Sequence, residues 1–248
     1  RRSFGILRYA LLLQWIALDM EVTKMKYKQV VKLIIDIAMY LIFVALMQEH
    51  LWDGLHEWLG IALFTLFIVH TILNFRWYQS LFKGKYTPTR TTSAVINIAL
   101  FAAMLCCMVS SVLVSGKVFA FLNLGGARIG RTLHLVSTAW VFVLMSLHLG
   151  MHWNMLLTMA RKHLQPSKIR TWALRIAGYS FAIYGVATFV RRDVGLYLLL
   201  KSHFVFFDYS EPLIAFLLDY LAVMAMFVLI GCIISIPLKG LPAFNAHK

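Results

Sequence analysis

Six long apolar runs dominate this chain. They fall near residues 29–48, 55–76, 93–115, 131–157, 171–190 and 212–236. A helix rising about 1.5 Å per residue needs roughly 20 apolar residues to cross about 30 Å of hydrocarbon, and each run meets that length. A bilayer admits only helices and closed barrels, because no water is present to satisfy an open backbone. Barrel strands would be about half as long and would alternate in polarity. The runs therefore predict an all-α integral membrane bundle of six transmembrane helices. Composition agrees: 61% of residues are hydrophobic and 14% are charged, against about a quarter charged in soluble domains.

The net charge of +14 does not point to nucleic acid, since the cations stand in short clusters between apolar runs. Lys24, Lys26, Lys28 and Lys32 lead into the first span. Arg76, Lys83, Lys85 and Arg90 follow the second, and Arg161, Lys162, Lys168 and Arg170 follow the fourth. The first connection, "QEHLWDG", has no Lys or Arg. The third has Lys117, Arg128 and Arg131, and the fifth has Arg191, Arg192 and Lys201. The positive-inside rule then puts both termini in the cytoplasm.

Residues 1–24 hold an apolar stretch too short to span. Their leading arginines resemble a signal peptide, yet no A-x-A-like cleavage site follows. They are read as a leader or interfacial segment without function, and "MKYKQVVKL" from Met25 as a natural start. Residues 25–160 form the four-helix core, and 161–248 add two helices with an outer aromatic connection. Cys106, Cys107 and Cys232 lie within apolar runs. No C-x-x-C or C-x-x-C-H occurs, so zinc ribbons and covalent haem attachment are not expected. "LNLGGARIGR" (122–131) is a Gly-rich turn without the G-K-[ST] of a phosphate loop.

Histidine carries the chemistry. "HEWLGIALFTLFIVH" (56–70) and "HLVSTAWVFVLMSLH" (134–148) each begin and end with it, fourteen positions apart. Spans one, three, five and six have no interior histidine. An ionisable group at membrane depth is a functional candidate by default. Fourteen residues advance a helix by about 21 Å and return to within roughly 40° of the starting face. The second and fourth spans run in the same direction, so His56 is level with His134 near the outer side and His70 with His148 near the inner.

Two imidazoles per level are too few for zinc, which takes three or four protein ligands. They suit haem iron, which needs one ligand on each face of the ring. The reading is two haem b groups: His56 and His134 hold the outer iron, His70 and His148 the inner. His152, one turn beyond His148, is the alternative inner ligand. Gly60, Leu63 and Phe67 on one helix, with Thr138, Val141 and Met145 on the other, would line the rings, and Gly60 would admit the flat macrocycle. Arg128 and Arg131 would meet the propionates of an outer haem and Arg76 or Arg161 those of an inner one; the rival role for them is as ordinary interfacial cations. Each imidazole Nδ1–H is expected to bond a backbone carbonyl one turn back.

The paired histidines resemble the core of respiratory cytochrome b and of ferric-reductase-like membrane cytochromes. More closely, "HEWLG" (56–60), "HTILNFRW" (70–77), "HLGMHW" (148–153) and "KSHFVFFDYSEP" (201–212) resemble the flavinylation-associated cytochromes of bacteria, a family long catalogued as a domain of unknown function. The resemblance spans roughly residues 27–237. It implies a cytochrome-b-like four-helix haem core in the bacterial cytoplasmic membrane, passing electrons across it, often beside proteins carrying covalent FMN. No FMN-attachment motif or nucleotide-binding domain stands in this chain, so a flavin would belong to a partner. An iron-handling partner is the other one the family implies.

Bis-histidine irons have no open position, which favours electron relay over substrate chemistry. The alternative is a quinol-oxidising or ferric-reductase-type oxidoreductase. For it, Lys201, His203 and Asp208 in the outer aromatic connection offer a quinone pocket or partner-docking edge, set against an interfacial aromatic belt. A haem or metal carrier is a further alternative, and would need an open coordination position. A structural scaffold gives no reason for matched histidines.

Overall fold

The computed structural model describes residues 27–48, 54–161, 165–201 and 210–238. Residues 1–24, His203 and Asp208 of the expected site, and His50, His163 and His247 lie outside the described residues. Six helices are long and apolar enough to cross a membrane. These are α1 (Tyr27–Leu46), α2 (Leu55–Leu73), α4 (Pro88–Val114), α5 (Ala127–Arg161), α6 (Lys168–Arg191) and α8 (Leu213–Leu238). Two short helices, α3 (Phe75–Ser80) and α7 (Val194–Leu198), and a 3-10 turn at Ala120–Leu122 lie between them. The expected six-helix membrane bundle is therefore what the chain forms.

Local chemistry sets several helix ends. Thr87 accepts a hydrogen bond from the Arg90 backbone N–H at 3.3 Å, with Pro88 opening α4. Ser167 caps α6 in the same way through Arg170. The second span was expected to run to residue 76, but α2 stops at Leu73. The Asn74 side-chain amide donates to the His70 carbonyl at 2.9 Å, alongside the Asn74 backbone N–H at 3.0 Å. A short side chain that bonds its own backbone competes with helix continuation. The chain then turns into α3, which carries Arg76.

The 35-residue α5 is the spine. Helix α4 packs along it, α8 packs on it, and α6 packs on α8. Two of these seams have no room for a side chain at their glycines. A Cβ on Gly150 would run into the Val228 carbonyl and sit 2.9 Å from Gly231 Cα, and one on Gly185 would run into the Ala222 carbonyl. Such small-residue seams let helix backbones meet where no hydrophobic effect drives association. By contrast, α2 stays largely clear of the α5 backbone among the described residues.

Leu63 and Phe67 of α2 join Phe43, Met104, Val141, Phe142, Met145 and Val223 in one buried cluster. Ile34, Leu41, Ile72, Val109, Ile183 and Ile233 point outward and are exposed. An apolar exterior around an apolar interior is the pattern of a helix bundle in lipid.

Candidate functional site

Helices α2 and α5 carry the four histidines singled out by their spacing, and the structure brings His56 and His134 together. Their ring centroids are 6.3 Å apart, with planes at 73°. For two imidazoles sharing one metal, with each nitrogen about 2.0 Å from it, the ring centres lie roughly 6 Å apart. The observed spacing fits that requirement.

Hydrogen bonds to Nδ1 set the tautomers. Near His134, Ser111 Oγ lies 3.2 Å from Nδ1 and Ser110 Oγ 3.5 Å. Both hydroxyls give their own protons to the Cys107 carbonyl, at 2.7 and 2.8 Å. Their oxygens can therefore only accept from the ring, so Nδ1 carries the proton and Nε2 the lone pair. His70 Nδ1 lies 2.7 Å from the Asp36 carboxylate, which as an anion also only accepts. His148 Nδ1 lies 2.7 Å from the Asn97 amide oxygen. In all three rings the lone pair therefore sits on Nε2; that of His70 has the Asn74 amide nitrogen 3.5 Å away. The partners are side chains on α1 and α4. They stand in the place of the backbone carbonyls expected one turn back.

Helix α1 is a strut for the second level. Lys32, Asp36 and Tyr40 recur every four residues on one face. Lys32 Nζ donates to Asn74 Oδ1 at 2.8 Å, Asp36 accepts from His70, and Tyr40 donates to the Met145 carbonyl at 3.0 Å. His70, His152 and Asp36 all lie within electrostatic range of His148. The His152 ring lies 4.7 Å from that of His148, between centroids, so the alternative ligand stands beside the favoured one.

The first level has its own brace. The Glu57 carboxylate accepts from Ser115 Oγ at 2.6 Å and from the backbone N–H groups of Gly116, Lys117 and Val118 at 3.0, 3.2 and 2.8 Å. It pins the start of α2, and with it His56, to the turn after α4. One turn beyond His56, a Cβ on Gly60 would meet nothing within 4 Å. Unlike Gly150 and Gly185, this glycine borders open space. The Thr138 hydroxyl turns back to the His134 carbonyl at 2.8 Å.

The basic residues expected to meet acidic groups sit at helix ends. Arg128 and Arg131 are exposed at the start of α5, Arg76 is exposed in α3, and Lys201 is exposed after α7. Among the described residues, no three His, Cys, Asp or Glu side chains converge as a metal-holding group.

Asp36, Asn97 and Ser111 escaped sequence reasoning. Asp36 could have been found, since an acid inside a span is a functional candidate in its own right. Asp219, buried in α8, is another such acid. It accepts from Tyr184 at 2.5 Å, from Arg191 at 2.6 Å and from Arg192 at 2.6 Å. Arg192 also pairs with Glu211, one of the two acids of the "KSHFVFFDYSEP" motif. The Glu211 hydrogen bonds, reinforced by Asp219, push the Arg192 guanidinium above its ordinary range, so it is charged at every working pH. This closed network ties α6 to α8 across the start of the fifth connection.

No protein-family model, curated protein or solved structure matches the chain.

Proposed function

We propose that this protein relays electrons across a membrane through two bis-histidine haem b groups, one held by His56 and His134 and the other by His70 and His148. The observation that carries the reading is the facing pair His56–His134, 6.3 Å between ring centroids, on two helices whose backbones stand apart. Support comes also from the Nδ1 partners Asp36, Asn97 and Ser111, since a ligating histidine commonly donates its other N–H to a neighbouring acceptor. Gly60 fits the same scheme, because its open flank admits a flat ring.

Haem supplies reversible one-electron chemistry. The residues of this chain contribute the rest. His148 is the proposed ligand at its level, since Asn97 orients its Nε2, and His152 is a neighbour. Leu63, Phe67, Val141 and Met145 keep the space between the levels apolar, which excludes water and ions from the path. Charge asymmetry between connections supports cytoplasmic termini. The motif resemblance supports a bacterial cytoplasmic membrane and a flavin- or iron-linked partner.

Purified full-length protein tests this directly. The expected result is two non-covalent haems per chain, a reducible low-spin b-type spectrum, and no carbon monoxide adduct on the reduced protein. A carbon monoxide adduct would mean an open coordination position and would favour the oxidoreductase or carrier reading. Protein without haem would end the proposal.

A further inference from the structure

Of the three Nδ1 partners described above, one is a charged group. His134 donates to the neutral Ser111 hydroxyl and His148 to the neutral Asn97 amide, whereas His70 donates to the Asp36 carboxylate. The carboxylate is held in place by its own helix. One turn before it, Lys32 is fastened to Asn74, and one turn after it, Tyr40 is fastened to the Met145 carbonyl. Lys32 directs its ammonium to the amide oxygen of Asn74, 2.8 Å away, while Asp36 Oδ1 sits 2.7 Å from the ring.

We infer that Asp36 is a positioning residue that lowers the reduction potential of the His70–His148 level below what a neutral Nδ1 partner would give. The inference rests on the two-haem reading above. Two effects act in the same direction. A carboxylate that accepts the Nδ1–H draws that proton toward itself and makes Nε2 a stronger donor. Its negative charge also favours the more positive, oxidised form of whatever the ring ligates. A hydroxyl or amide acceptor orients the ring equally well without contributing a full charge. Asp36 would thus make the His70 level more reducing than it would be with a neutral partner in that place.

The test is a spectroscopic redox titration of the purified full chain and of two nearly isosteric variants, Asp36→Asn and Asn97→Asp. Asp36→Asn keeps an oxygen acceptor for the ring and removes the charge, so a purely orienting role predicts no shift. The expected result is a rise in the potential of one of the two components, with the other unmoved. Asn97→Asp adds a carboxylate to the opposite ligand of the same level and should lower that same component. Its identity follows from His70→Ala, in which it should be missing.

Unchanged potentials, or a fall in Asp36→Asn or a rise in Asn97→Asp, in variants that retain both haems would overturn the inference and leave the two-haem reading intact. If Asp36→Asn loses haem at this level, the downward shift in Asn97→Asp decides alone. Wild-type protein without haem would overturn both.

Discussion

Opposite faces of α5 are built to opposite specifications. Gly150 and His148 are two residues apart, about 200° around the helix. On the Gly150 face, α8 lies against bare backbone, and any added carbon would strike Val228 or Gly231. On the histidine face, α2 keeps largely clear, and the His56 and His134 rings meet in the interval. A helix pair in lipid gains by packing closely, so the interval between α2 and α5, with the His56 and His134 rings in it, contrasts with the glycine seam on the other face. The two glycine environments make the same point. Gly150 exists because a neighbour is too near, and Gly60 stands where no neighbour is near at all.

That contrast can be broken at either face. The largest effect is expected from Gly150→Leu, which forces α5 and α8 apart. Overpacking of this kind costs about 1–3 kcal/mol or more, and a fall in the thermal midpoint in detergent, with loss of folded yield, should report it. Gly60→Leu should do the reverse: the midpoint of the α5–α8 body holds, while haem content falls from two per chain toward one. Equal destabilisation by both would show that Gly60 is merely another packing glycine.

Glu57→Ala should come next. It removes the acceptor for a hydroxyl and three backbone donors. For a carboxylate partly open to solvent the loss is about 1 kcal/mol, visible as weaker haem retention at the His56 level than at the His70 level. The smallest effect is expected from Arg191→Ala. Arg191 is exposed, and Asp219 keeps Arg192 and Tyr184, so the thermal midpoint should barely move; a large drop would mean the network is held from its exposed edge.

How much of this was legible in the sequence follows from the range of each interaction. The six spans were legible because lipid acts on every residue alike, and a run of apolar side chains is a local property. The approach of His56 to His134 was legible because matched spacing on two helices running the same way needs no knowledge of the rest of the fold. Asn74 was not, since an asparagine in an apolar run ends a helix only where its amide bonds back to the chain, as it does to His70. The Nδ1 partners lay further out of reach: Asp36 meets His70 across 34 residues and Asn97 meets His148 across 51, and both meetings depend on how α1 and α4 pack. The Glu57 brace, across 58 to 61 residues, is of the same kind. Among the Nδ1 partners, Asp36 left a local signal, as an acid within a span.

The central claim is that the four histidines act as two separate pairs, one per level. Haem quantification with redox titration of His56→Ala and of His70→Ala, each in the full chain, tests it most directly. The account predicts one haem left in each variant, with a different spectral component missing from each. Retention of both haems in either variant, or loss of both in each, would contradict it.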